Sequence, residues 1–278
     1  MTRTKYIQAL ASNPEFASNF ELVTAFCYCL TPRQACSLLV ETHSSHVALR
    51  DTALRKVCND IGNSYSLAHQ KLVIQLLADF SRANTRERQS LGYCLSMLAE
   101  HIPSAERRTI QRVFLQSKYV SVRRRGYKSL STEHNIPRHF VQKAWLQFQD
   151  EACAWLIVKT FPVRYLVQHR EALASALSEG WQLARLYLRV GEESQKLLTE
   201  LKAIDQISYC YVLAKLGLNL STKEARSFVD SNSGDERFGL LIWSLGRLGQ
   251  WNALKYVQAK LPEINEKKHA ALQAIYGI

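Results

Sequence analysis

The twelve residues from Tyr119 to Leu130 read Tyr-Val-Ser-Val-Arg-Arg-Arg-Gly-Tyr-Lys-Ser-Leu. On a period of 3.6 residues, Tyr119, Val122, Gly126, Ser129 and Leu130 share one face. Arg124, Arg125 and Lys128 share the opposite one. A glycine in the middle of an apolar face lets a second helix approach closely. The dodecamer therefore predicts helix packed on helix, with a cluster of cations left on the outer side.

The rest of the chain carries the same period, cut into short lengths. The six prolines stand where one apolar pattern stops or the next begins, at Asn13-Pro14, Thr31-Pro32, Ile102-Pro103, Ile136-Pro137, Phe161-Pro162 and Leu261-Pro262. Proline suits a first helical turn and is costly in the interior. Thr31 and Asn13 are N-cap residues by type and position. Gly62, Gly180, Gly191, Gly217, Gly234 and Gly249 mark further breaks. Between these marks the spacing predicts helices near 65–81, 85–101, 104–117, 137–149, 151–160, 181–190, 193–203, 205–216, 222–230, 235–247, 251–260 and 264–276. No run alternates apolar and polar residues around a hairpin turn, so the expected fold is all-α with some fifteen short helices. Many short helices of similar length favour stacked antiparallel hairpins over a four-helix bundle, with repeats of about 30 to 47 residues.

The segment Val122-Arg-Arg-Arg-Gly-Tyr-Lys-Ser-Leu130 resembles the second helix of a HEAT repeat. Glu151-Ala-Cys-Ala-Trp-Leu-Ile-Val-Lys-Thr-Phe-Pro162 is similar in a looser way. Trp243 to Tyr256 is similar to the turn region of a tetratricopeptide repeat, and Leu186-Tyr-Leu-Arg-Val-Gly191 more faintly so. The resemblance implies a right-handed α-solenoid. The expectation is one such domain over 1–278, with a polar, softer joint near 131–135 and another polar stretch at 231–235.

The net charge is +12, and it is concentrated. Residues 82–143 hold 13 Lys and Arg against 4 Asp and Glu, a local +9. The remainder holds 23 against 20, which is only +3. Such a block is the footprint expected for an anionic partner. Its candidate contact residues are Arg82, Arg86, Arg88, Arg108, Arg112, Arg124, Arg125, Lys128, Arg138 and Lys143. Aromatics lie among them. Phe114, Phe140, Trp145 and Phe148 follow core spacing, and Tyr127 is left open between core and surface. No apolar run approaches the roughly 18 residues of a membrane span, and no export signal is read, so the expectation is a cytoplasmic protein that does not enter a membrane. Seven cysteines at irregular spacing point to buried thiols in a reducing compartment.

Motifs for chemistry are missing. There is no Gly-x-x-x-x-Gly-Lys-Ser/Thr loop, no Gly-x-Ser-x-Gly elbow and no His-Glu-x-x-His pair. Cys27, Cys29, Cys36, His43 and His46 are the densest set of metal-ligand types. Cys27 and Cys29 point about 200° apart on a helix, which does not suit a shared zinc. Asp150-Glu151, Glu192-Glu193 and Asp235-Glu236 sit at expected helix starts, where the helix dipole favours negative charge. No cofactor, metal or catalytic residue is expected. The expected function is a non-enzymatic interaction module that docks a protein partner, with a basic face at 82–143. The alternative is a solenoid that uses this face to follow nucleic-acid phosphates. Size, charge and the HEAT-like segment also resemble the HEAT-like alkylpurine DNA glycosylases. That family carries a Trp-x-x-x-Asp element, and none of Trp145, Trp155, Trp181, Trp243 or Trp251 has an aspartate four residues on.

Overall fold

Five helix starts are set by side chains that accept from otherwise unpaired N–H groups. Thr31 Oγ1 accepts from the Gln34 N–H, and Gln34 returns a bond to the Thr31 N–H, with Pro32 at the first helical position. Asn84 with Glu87, and Ser221 with Glu224, form the same reciprocal box. Asn19 and Asp205 cap singly. At the other end, Gly217 closes a helix at φ 67°, a left-handed conformation that costs glycine nothing.

The computed structural model describes residues 13, 19–43, 47–191 and 195–260. Among these there is no strand, and no helix is long and apolar enough to cross a membrane. The chain groups into two compact units, Met1–Ala144 and Trp145–Ile278. In the first are α1 (Phe20–Tyr28), α2 (Pro32–Thr42), α3 (Val47–Asn63), α4 (Leu67–Arg82), α5 (Thr85–Ala99), α6 (Ser104–Leu115) and α7 (Val120–Ser131). Helix α8 (Arg138–Phe148) contains the division. In the second are α9 (Glu151–Thr160), α10 (Val163–Gln168), α11 (Arg170–Ala176), α12 (Gly180–Val190), α13 (Gln195–Ile204), α14 (Gln206–Leu216), α15 (Thr222–Asn232), α16 (Phe238–Arg247) and α17 (Trp251–Lys260).

In each unit nearly every substantial contact joins a helix to the next one or to the next but one, and α9 also reaches α12. In the first unit α2 packs on α3, α4 on α5 and α6 on α7, while α1, α3, α5 and α7 follow one another as a row. In the second, α10, α12, α14 and α16 form such a row, and α13 and α15 pack against it. The first core gathers Leu38, Leu39, Leu76, Leu95 and Phe114, with the Phe80 and Phe114 rings 5.7 Å apart. The second gathers Ile207, Leu213, Phe228, Leu241 and Leu254.

Gly126 is where the dodecamer is tested. Val122, Gly126 and Leu130 are buried, as the period predicts, and Tyr119 and Ser129 are half-buried. A Cβ on Gly126 would lie 3.1 Å from Phe114 Cβ and 3.4 Å from Leu115 Cδ2, so α6 and α7 are in backbone-close contact there. The buried face is wider than the period suggests, because Arg123 and Tyr127 are buried too. Tyr127 thus belongs to the core. Gly180 owes its identity to a different approach, since a Cβ there would overlap the Asp205 side chain.

The structure changes some expected boundaries. Helix α16 starts at Phe238 and not near 235, because the Asp235 carboxylate accepts from the Arg237 N–H (2.7 Å) and pairs with its guanidinium. Helices α10 and α11 have six and seven residues, too short to show a period, and the sequence reading passes over them. Gly62 is the penultimate residue of α3, one position before the helix ends. Pro14, Glu192-Glu193, Leu261-Pro262 and the helix expected over 264–276 lie outside the described residues.

Replacing Gly126 by leucine is expected to destabilise the protein by roughly 1–3 kcal/mol through overpacking against Phe114 and Leu115. An unchanged melting temperature would remove Gly126 from the helix contact. A second prediction concerns acid. The Lys202 ammonium (2.6 Å) and the Ser221 hydroxyl hold the Glu224 carboxyl down at about 2, below its ordinary 4.5. Its contribution is present above pH 4.5 and is lost as the pH falls towards 2. Both partners are more than a third exposed, so solvent screening keeps the effect small. Urea unfolding of Glu224→Gln should show a shallower loss of stability over this range than the wild type. Equal slopes would mean that the pair does not couple to folding.

Candidate functional site

The ten cations that the sequence assigns to one basic face all lie in Met1–Ala144. Packing sorts them by task. Arg88 is half-buried; its guanidinium lies over the Tyr119 ring at 4.5 Å and donates to the Ala83 carbonyl. Arg108 pairs with Glu133 at 2.7 Å and donates to the Asn135 carbonyl at 2.6 Å, tying α6 to the loop after α7. The stretch 131–135 is therefore gripped from α6. Neither guanidinium is displayed as an open contact.

Arg82, Arg86, Arg112, Arg124, Arg138 and Lys143 are exposed. Arg112, Arg124, Arg125 and Lys128 enter no ion pair among the described residues. Arg125 and Lys128 take a more specific place. Together with Arg107 they line a cleft of about 540 Å³ between α5, α6 and α7. Tyr93, Met97 and Ala99 supply its apolar wall, and Ser96, Ser129 and Thr132 its hydroxyls. Glu100, at the end of α5, adds one carboxylate.

Local sequence explains how these cations arrive there. The Arg125 stem packs over Gly92 on α5, where a Cβ would lie in ordinary contact, 3.8 Å from Arg125 Cδ. Long basic side chains lay their methylenes on apolar surface and keep the charge outward. Arg107 donates from Nη2 to the Ile102 carbonyl at 3.1 Å, and its Nε is buried with no hydrogen-bond partner. A buried donor left unpaired is costly. Sequence reasoning selected Arg108 and missed Arg107. The two lie in one charged run, Glu106-Arg-Arg108. Only the meeting of α5 with α7 decides which of them faces the cleft.

The cations thus do not converge as one continuous stripe. Two are spent inside the fold, two enter the cleft and six face solvent. A separate opening of about 400 Å³ between α2 and α4 sets Arg33 and Lys71 beside Cys36, Val40, Leu67 and Leu72. It lies outside the 82–143 block.

The metal-ligand set does not assemble among the described residues, where no group of three or more His, Cys, Asp or Glu side chains could hold an ion. Cys27 and Cys36 are buried, Cys29 is exposed, and His46 lies outside the described residues. Burial pushes the thiols of Cys27 and Cys36 up to about 11, and those of Cys58, Cys94 and Cys210 up to about 12. Thiols so placed are poor nucleophiles at neutral pH.

The assignment of tasks can be checked with two alanine variants. Arg108→Ala should lower stability by roughly 1–2 kcal/mol, since it strips a charged hydrogen bond from Glu133, and should leave polyanion binding unchanged. Lys128→Ala should do the reverse, weakening binding at wild-type stability. Equal loss of binding in both would show that Arg108 is a contact residue after all. No family model, curated protein or solved structure matches this chain.

Proposed function

We propose that this protein is a non-enzymatic helical-repeat interaction module that docks an acidic segment of a protein partner in the α5–α7 cleft. The observation that carries this reading is the mixture in one cleft: Arg107, Arg125 and Lys128 beside Tyr93 and Met97. Carboxylates of the partner meet the guanidinium and ammonium groups, and an apolar side chain meets the wall. Charge steers the encounter and buried apolar contact holds it.

The architecture we assign to each unit is a stack of antiparallel hairpins of the right-handed α-solenoid kind. Contacts of each helix with the next and the next but one support it. The HEAT-like reading of Val122 to Leu130 supports it too, since Gly126 sits at a close contact between α6 and α7. Solenoids present long surfaces to partners. Seven cysteines, six of them buried, suit a reducing compartment, and we place the chain in the cytoplasm.

A second reading rests on the six exposed cations. Arg82, Arg86, Arg112, Arg124, Arg138 and Lys143 could follow phosphates without reading bases. Charge reversal separates the two. In Arg125→Glu/Lys128→Glu, a labelled peptide alternating glutamate with leucine should bind at least tenfold more weakly than to the wild type, and the glutamine analogue of the peptide should bind neither. Duplex DNA that binds the wild type and is lost on reversal of Arg112 and Arg124 would favour the phosphate reading. Peptide affinity unchanged by Arg125→Glu/Lys128→Glu would remove the cleft from the proposal.

A further inference from the structure

The second unit repeats one pairing of ring and cation along a row of helices. Trp155 is followed four residues on by Lys159, Trp181 by Arg185, Tyr211 by Lys215 and Trp243 by Arg247. Four residues make about one helical turn, so each ring and its cation share a face. The pairs stand on α9, α12, α14 and α16, and each of these helices packs on the next in that order. The four cations are exposed, Trp181 is 49 % exposed, and the other three rings are half-buried.

The rings meet across helix boundaries. Trp155 and Trp181 make an edge-to-face pair with centroids 4.6 Å apart. Tyr211 and Trp243 lie 5.8 Å apart. Lys159 Nζ is 5.4 Å from the Trp155 centroid, and Lys215 Nζ is 5.6 Å from Tyr211 and 5.3 Å from Trp243. Core packing accounts for the buried side of each ring, but not for the exposure of Trp181 or for the ammonium groups laid over Trp155, Tyr211 and Trp243. Helices α12, α14 and α16 contain no aspartate or glutamate. The only acidic residue on α9 is Glu151, in its first turn, which accepts from Ser178 Oγ at 2.7 Å.

We infer that this face of the second unit binds single-stranded nucleic acid. Rings spaced along a row of helices are platforms for successive bases, and every base has a π-face to offer. The cation one turn further on lies where the phosphate linking those bases would run. The ammonium groups now resting on Trp155, Tyr211 and Trp243 sit on flexible stems; a base takes their place on the ring and they turn to the phosphate. An acidic peptide would use the cations and leave the rings idle. A duplex would bury its base faces and could not use the rings at all. The spacing repeats once more at Trp251 and Lys255 on α17, which packs on α15 and α16 and is not part of this row.

The test is a salt series of fluorescence anisotropy on the full chain, with labelled oligo-uridylate, a duplex of equal length, and poly-glutamate as competitor. The single strand should bind more tightly than the duplex and quench tryptophan emission. Trp181→Ala and Trp243→Ala should each weaken it by roughly tenfold. Trp181→Tyr and Trp243→Tyr should restore most of the affinity and guard against a folding defect. Arg185→Gln/Lys215→Gln should flatten the log–log salt slope by about 1.4, the value for two phosphate contacts on a single strand. Arg125→Glu/Lys128→Glu in the first unit should leave strand binding intact, so failure here and failure of the cleft reading are distinguishable. Equal affinity for duplex and single strand, full competition by poly-glutamate, or unchanged affinity in both tryptophan-to-alanine variants would each overturn the inference.

Discussion

A helix of ten or twelve residues has too few hydrogen bonds to offset its nucleation cost in water. Most helices of this chain are about that long, and the longest described is the 17-residue Val47–Asn63. Each must therefore borrow stability from neighbours. The contact rule in both units, next helix and next but one, is the solution. It gives a short helix two buried sides and leaves a third for solvent. Gly126 shows the demand this places on sequence, because the α6–α7 approach leaves no room for a side chain larger than hydrogen without displacement of Phe114 or Leu115.

That third side is where function is found, and packing decides which charges reach it. Arginines close together in sequence have different fates. Arg107 lines a cleft, Arg108 holds Glu133, and Arg112 faces water. Arg123 is buried and donates to the Ser117 carbonyl at 2.7 Å, whereas Arg124 is exposed and Arg125 leans over Gly92. A guanidinium with five donors in a rigid fork can staple loops as readily as it can bind a partner. Local net charge therefore overstates the surface available to a ligand. In the second unit the charge density is lower, but four of the cations that reach the surface, Lys159, Arg185, Lys215 and Arg247, stand one turn beyond a ring.

Much of the fold was legible in the residues. Helices from Leu67 onward were placed by apolar period, proline and cap residues to within a few positions, because those signals act within one or two turns. The two short helices after Pro162 were not, since six or seven residues do not complete enough turns for a period to stand out. The start of α16 was misplaced because Asp235 bonds to Arg237 instead of opening the helix. The basic block was correctly seen as a concentration of charge, but neither Arg107 in the cleft nor the burial of Tyr127 could be read from one helix.

Sequence alone determined that the chain is helical, that its helices are short, where most of them start and stop, and that one segment is strongly basic. These properties depend on backbone preference and on side chains three or four residues apart. Tertiary structure decided which cations are spent inside the fold, which line the α5–α7 cleft, and that aromatic–cation pairs on α9, α12, α14 and α16 share neighbouring surfaces. Those relations join residues 20 to 60 positions apart, and only the packing of one helix on another brings them within reach.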